Sequence, residues 1–252
     1  MNLLYTKEKK RLLSLKRFRF LALAAYIGAI GLVIYTKQTF WNDIMYTFRI
    51  QDYVLYVFNA AAGMIVLLGL YRFRFTKNTI EQMEICGGRK WMAVIAKWRA
   101  GISALFILYF IMAILIVAMG FIFGAGNSAF QLKAMLVSLL MDMIAAFACY
   151  SVAMVFLFLT AFWLLPMLVY AALMCVYPVW MSRWQIRGFT FMAYTTAKDA
   201  YSAFMLGRTD LKFIPIVLLY VVASLILSMI IFKFKRKERR KLKDLFKKQK
   251  DR

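Results

Sequence analysis

Residues 134–180 read AMLVSLLMDMIAAFACYSVAMVFLFLTAFWLLPMLVYAALMCVYPVW, and Asp142 is the one charged residue among them. A single helix of that length would run to ~70 Å, more than twice the ~30 Å hydrocarbon thickness of a bilayer. The tract therefore reads as two crossings joined by a tight turn. We place the turn near residues 160–163, before Pro166, because proline is tolerated in the first turn of a helix and breaks one further in. Working outward, four more apolar runs are long enough to cross or nearly so: 20–35, 53–71, 102–123 and 213–232. The first follows a basic segment, as a signal peptide would. It continues as Thr36-Lys37-Gln38 with no small-residue cleavage site, so it is expected to stay as a first helix. The expectation is an all-α, polytopic membrane protein with about six transmembrane helices.

Composition supports the same class. Hydrophobic residues make up 64% of the 252 and the mean hydropathy is +0.70, whereas soluble domains hold roughly 45–50%. A soluble core of this size cannot hide the surplus, and a bilayer removes the need to.

The net charge of +23 would suggest nucleic acid in a soluble protein. Here the cations sit between apolar runs and report orientation instead. Residues 1–19 carry seven, the loop 72–99 seven and the tail 233–252 twelve, against eight in the segments that alternate with them. Both termini are thus expected in the cytoplasm, which demands an even number of crossings. The organisation is a basic amphipathic interfacial segment (1–19), a transmembrane domain (20–232) with an extracellular segment at 181–212, and a basic cytoplasmic tail. Membrane lipids, not nucleic acid, are the expected partners of the basic ends.

Enzymatic chemistry finds little to work with. There is no histidine, which removes the usual near-neutral acid/base and the commonest metal ligand. Cys86, Cys149 and Cys175 form no CxxC and no paired spacing. No G-x-x-x-x-G-K-[ST] loop occurs, so the chain offers no ATP site of its own. It is expected to be a non-enzyme without a cofactor.

Thr76-Lys77-Asn78-Thr79-Ile80-Glu81-Gln82-Met83-Glu84-Ile85-Cys86-Gly87-Gly88-Arg89-Lys90-Trp91 is the most informative loop. Asn78 with Glu81 three residues on reads as a capped helix start, and Gly87-Gly88 as its stop. The result is a two-turn helix at 79–86 with Ile80 and Met83 on one face and Glu81 and Glu84 on the next. Trp91 and Trp98 are placed as interface anchors.

A short capped acidic helix between the second and third spans, followed by a Gly-Gly-Arg step, resembles the coupling helix of ABC-2 type transporter permeases. The resemblance implies six helices, an N-terminal interfacial elbow helix and both ends inside. It also implies a partner ABC ATPase subunit in two copies that binds ATP and Mg, and a second permease subunit as homodimer or heterodimer. The ATPase would be gripped through Thr79, Ile80, Glu81, Met83, Glu84, Gly87, Gly88 and Arg89. The function implied is export of an amphiphilic substrate across a bacterial plasma membrane. An ordinary interfacial loop helix is the other reading of 79–86. For the whole chain, the alternatives are an ion-coupled secondary transporter or an accessory or immunity subunit.

Asp142 either faces a pathway, with Asn59 as its nearest polar companion in a span, or is an acid near the membrane edge, nine residues after Lys133. Burying an unpaired carboxylate in hydrocarbon costs several kcal/mol. Ala24-x-x-x-Gly28 and Gly120-x-x-x-Gly124 permit close helix approach, within the subunit or at a dimer seam. The 23 phenylalanines and 17 methionines suit an adaptable greasy path, lipid contact or a core alike.

Overall fold

A computed structural model of the chain describes residues 2–39, 54–72, 91–122, 129–160, 162, 164–176 and 213–250. All regular structure among them is helical. The helices are α1 (Asn2–Ser14), α2 (Lys16–Thr39), α3 (Tyr56–Arg72), α4 (Trp91–Ile122), α5 (Ala129–Leu159), α6 (Leu164–Ala171) and α7 (Phe213–Lys250). The coupling stretch at 79–89, the segment 181–212 and Gly124 lie outside the described residues.

The long apolar tract splits where its length demands. Helix α5 stops at Leu159, and Thr160 closes it by returning its amide N–H (3.0 Å) and its hydroxyl (2.9 Å) to the Phe156 carbonyl. Helix α6 starts at Leu164, so Pro166 falls in its first turn, where no helical N–H bond is lost. Helix α6 runs into a wide-turned segment, Ala172–Val176. Such wide turns leave carbonyls without a helical partner, and the Cys175 carbonyl accepts the Tyr56 hydroxyl of α3 at 3.1 Å.

Four described helices are long and apolar enough to cross a membrane, at Lys16–Tyr35, Trp91–Ile122, Leu139–Leu159 and Ile214–Phe234. Tyr56–Leu70 and Leu164–Cys175 are apolar but shorter. Phe110 and Phe121 on α4, Leu219 on α7 and Phe20 on α2 are all more than half exposed. Water does not tolerate so wide an apolar exterior, and hydrocarbon does, consistent with a membrane protein.

The inward face of α4 repeats at three and four residues: Ala93, Ala96, Lys97, Ala100, Gly101, Ala104, Leu105, Leu108, Tyr109, Met112, Ile116 and Gly120. Apart from Val94 and Lys97, its first half is built from small residues. Without a hydrophobic drive between helices in lipid, close backbone approach and dispersion must supply the packing, and these residues let α1 and α5 come near. Helix α5 packs on α3, α4, α6 and α7, and α3 packs on α2, α4, α5 and α6. Aromatic rings bridge Tyr26 of α2 to Phe58 of α3 (5.9 Å, stacked) and Phe58 to Tyr109 of α4 (5.4 Å, edge-on).

Three elements differ from the sequence reading. Helix α4 already begins at Trp91, so residues 91–99, assigned above to the loop, are its first turns. Trp91 is exposed, but Trp98 turns inward and donates its indole N–H to Ser151 Oγ at 2.9 Å instead of anchoring at the interface. Helix α7 continues unbroken through the tail to Lys250.

Helix α1 docks on α4 and α2. Its Leu12 is fully buried and lies on Gly69 of α3, not in lipid. The Tyr5 hydroxyl meets Ser103 Oγ at 2.6 Å, and the Arg99 guanidinium lies 4.6 Å over the Tyr5 ring. Glu8, the lone acid of the N-terminal segment, is 6% exposed, and it is the opposite charge acting on Lys97, itself 2% exposed.

Candidate functional site

Asn59 is a short polar side chain in the second apolar run, and a side-chain amide in hydrocarbon must find partners or forfeit several kcal/mol. It finds them on three helices. Its Nδ2 donates to Asp142 Oδ2 of α5 at 2.7 Å, and its Oδ1 accepts the Tyr109 hydroxyl of α4 at 2.8 Å. Its backbone carbonyl accepts the Tyr170 hydroxyl of α6 at 2.9 Å. Asn59 thus joins α3 to α4, α5 and α6 at one point. All four residues are buried, with Asp142 at 0% exposure.

Asp142 Oδ1 is the exception to this satisfaction. It is buried and has no hydrogen-bond partner among the described residues. The structure brings together Asn59 and Asp142, both singled out from the sequence, and encloses them.

The geometry rests on a glycine. Tyr170 donates to the Asn59 carbonyl while its ring lies across Gly63, one turn on, where an added Cβ would overlap the ring. The same arrangement recurs elsewhere: Tyr150 of α5 donates to the Lys97 carbonyl at 3.4 Å with its ring against Gly101. In each case the missing Cβ exposes the carbonyl four residues back, which the helix's own N–H has only half satisfied.

Gly101→Ala is therefore expected to destabilise the protein by about 1–3 kcal/mol, since the buried Tyr150 has nowhere to move. Adding Tyr150→Phe, which deletes the overlapping hydroxyl, should recover part of the loss. Gly28→Ala is the control, because a Cβ there meets nothing within 4 Å. Thermal unfolding in detergent reads all three; equal midpoints for the Gly28 and Gly101 variants would refute this packing.

Sequence reasoning missed Tyr109, Tyr170 and Gly63. A tyrosine inside an apolar span carries a hydroxyl that needs a partner, and Tyr109 and Tyr170 could have been enrolled on that ground. Which carbonyl or side chain they reach is set by helix packing. It also missed Glu8 and Lys97, whose loop-like setting among many cations hid that they would be buried. Of the proposed dimer seams, Ala24 and Gly28 lie on the exposed face of α2, and Gly120 is buried within the bundle. Among the described residues, no three His, Cys, Asp or Glu side chains gather as a metal-binding set.

Fold and site together define a chain whose described secondary structure is all helical, consistent with a membrane protein, and which carries a closed polar cluster at the meeting point of four helices. Comparison with protein-family models, with curated proteins and with solved structures found no match.

Proposed function

We propose that the chain is the permease subunit of an ATP-driven exporter, with the shorter helices at Tyr56–Leu70 and Leu164–Cys175 adding two crossings to the four long ones. Both ends and the loop between α3 and α4 then lie in the cytoplasm, as the cation distribution requires. Helix α1 takes the place of the family's elbow helix.

The observation that carries this reading is how α3 and α4 are held. They end and begin at Arg72 and Trp91, on either side of the stretch in which the sequence places the coupling helix. Helix α1 is clamped to the first turns of α4, and Leu12 rests on α3. A pull on the loop would therefore be delivered to α3 and α4 as a braced pair. Through Tyr109 and Asn59 it would be passed to α5 and α6. In the proposed cycle, ATP binding closes a partner ATPase dimer, draws the 79–86 helices of two subunits together and tilts α3 and α4 to open a path for an amphiphilic substrate.

The test is affinity purification of the chain from its native membrane in mild detergent. A nucleotide-hydrolysing subunit is expected to accompany it, and Glu81→Lys with Glu84→Lys should reduce that association at least tenfold. A chain that purifies with no such companion overturns the reading. The buried Asp142 specifically favours a second reading, an ion-coupled transporter, which would show transport driven by an ion gradient with no ATPase attached.

A further inference from the structure

The Asn59 cluster is well satisfied except at one atom, Asp142 Oδ1, which is enclosed and unbonded among the described residues. As an ionised acceptor that oxygen would need a donor or a cation. The donors around it are committed: the Asn59 amide bonds Oδ2, the Tyr109 hydroxyl bonds Asn59 Oδ1 and the Tyr170 hydroxyl bonds the Asn59 carbonyl. The facing groups carry no charge. From α3 the neighbour is Asn59, from α4 the phenol of Tyr109 and from α6 the phenol of Tyr170. Cys149 lies on α5 itself, with Cys175 beyond α6. Phenols and thiols are neutral around pH 7. The apolar stretch of α7, residues 213–232, contains no charged residue.

A metal cation does not fit, since the oxygens nearby are engaged and no ligand set converges among the described residues. A cationic amphiphile would have to reach a sealed oxygen. A hydrogen on Oδ1 solves the problem with no added volume. It removes the charge, and a neutral carboxyl enclosed in the bundle costs far less than an enclosed carboxylate with one oxygen unbonded.

We infer that Asp142 is a proton-binding site: in the closed bundle Oδ1 carries a hydrogen, which leaves only when α3, α4, α5 and α6 part around Asn59. On release the O–H bond breaks heterolytically, its electron pair stays on Oδ1, and the proton passes to water admitted by the opening. The carboxylate left behind is then solvated by that water and held by the Asn59 amide. Reclosure requires the proton back. The cluster thus links one proton to the separation of four helices, whichever energy source drives the chain.

Infrared spectroscopy of the full chain in lipid vesicles at neutral pH tests this directly. The wild type is expected to show a protonated-carboxyl carbonyl band that Asp142→Asn lacks. On transfer to deuterated buffer this band should shift far more slowly than the exposed amides exchange, because exchange waits for opening. Should Asp142→Asn fail to fold, Asp142→Glu keeps the test alive, since the band should move to the glutamic acid position. A difference spectrum containing only carboxylate stretches, or a band that deuterates within the mixing time, overturns the proposal. No ATPase or transport is involved in the measurement, so its failure leaves the exporter reading untouched, and the reverse.

Discussion

Asn59→Leu is expected to destabilise the folded bundle by about 2–4 kcal/mol, through two orphaned groups. The side chain contributes both an amide donor and a carbonyl acceptor. Its loss strands Asp142 Oδ2 and the Tyr109 hydroxyl together, in a site that water does not reach. Hydrogen bonds between membrane helices are often worth only about 0.6 kcal/mol each, because the unfolded segment finds other partners. Here the larger value should win, since one of the stranded groups is a carboxyl already missing a partner on its other oxygen. Tyr170 should be spared, because it bonds the Asn59 backbone, which leucine retains.

The sharper test is a cycle. Asp142→Leu alone leaves the Asn59 amide unpaired and should also be destabilising. The double variant removes that pair together and leaves only the Tyr109 hydroxyl without its acceptor, so it should cost less than the two single losses added. Denaturation followed by far-ultraviolet circular dichroism in mixed micelles measures the cycle. Additive losses in the double variant would show that the two side chains do not depend on each other and would contradict this geometry.

The second large effect is expected at the base of α4. Glu8→Gln should cost about 1–3 kcal/mol and loosen α1, because it removes the opposite charge that acts on the buried Lys97. Arg11 acts on Lys97 as a like charge and adds to the loss. Lys97 can relieve part of it by extending its amine outward, which keeps the value below that of a broken buried ion pair. Replacing both partners, Glu8→Leu with Lys97→Met, should restore or exceed the original stability, since a buried ion pair is often no better than its apolar replacement. Amide hydrogen exchange over residues 2–14 reads the release locally. Unchanged protection there in Glu8→Gln would mean that Tyr5, Arg99 and Leu12 hold the helix without the charge pair.

Both sites show where sequence reading reaches its limit. Periodicity and run length are local properties, and they located the four long apolar helices and two shorter ones, the break at 160–163 and Asp142 as the anomaly within 134–180. Lys97 and Arg99 read as loop cations because a loop and the first turns of a helix have the same composition. The partner of Asp142 was narrowed to Asn59 by elimination, as the other strongly polar residue within a span. The hydroxyls of Tyr109 and Tyr170 signalled only that they need partners, and the roles of Gly63 and Glu8 carried no signal.

What the sequence determined by itself is the apolar, helical character of the long runs. So much apolar length suits hydrocarbon, because transfer free energies add residue by residue, and the uneven cation distribution is what the proposed orientation rests on. Tertiary structure decided which polar groups meet. The rotation of each helix about its axis chose whether Asp142 would face lipid or Asn59, and whether Glu8 would face headgroups or Lys97. That rotation is fixed by the fit of whole surfaces, here by glycines opposite tyrosines, and no single stretch of chain encodes it.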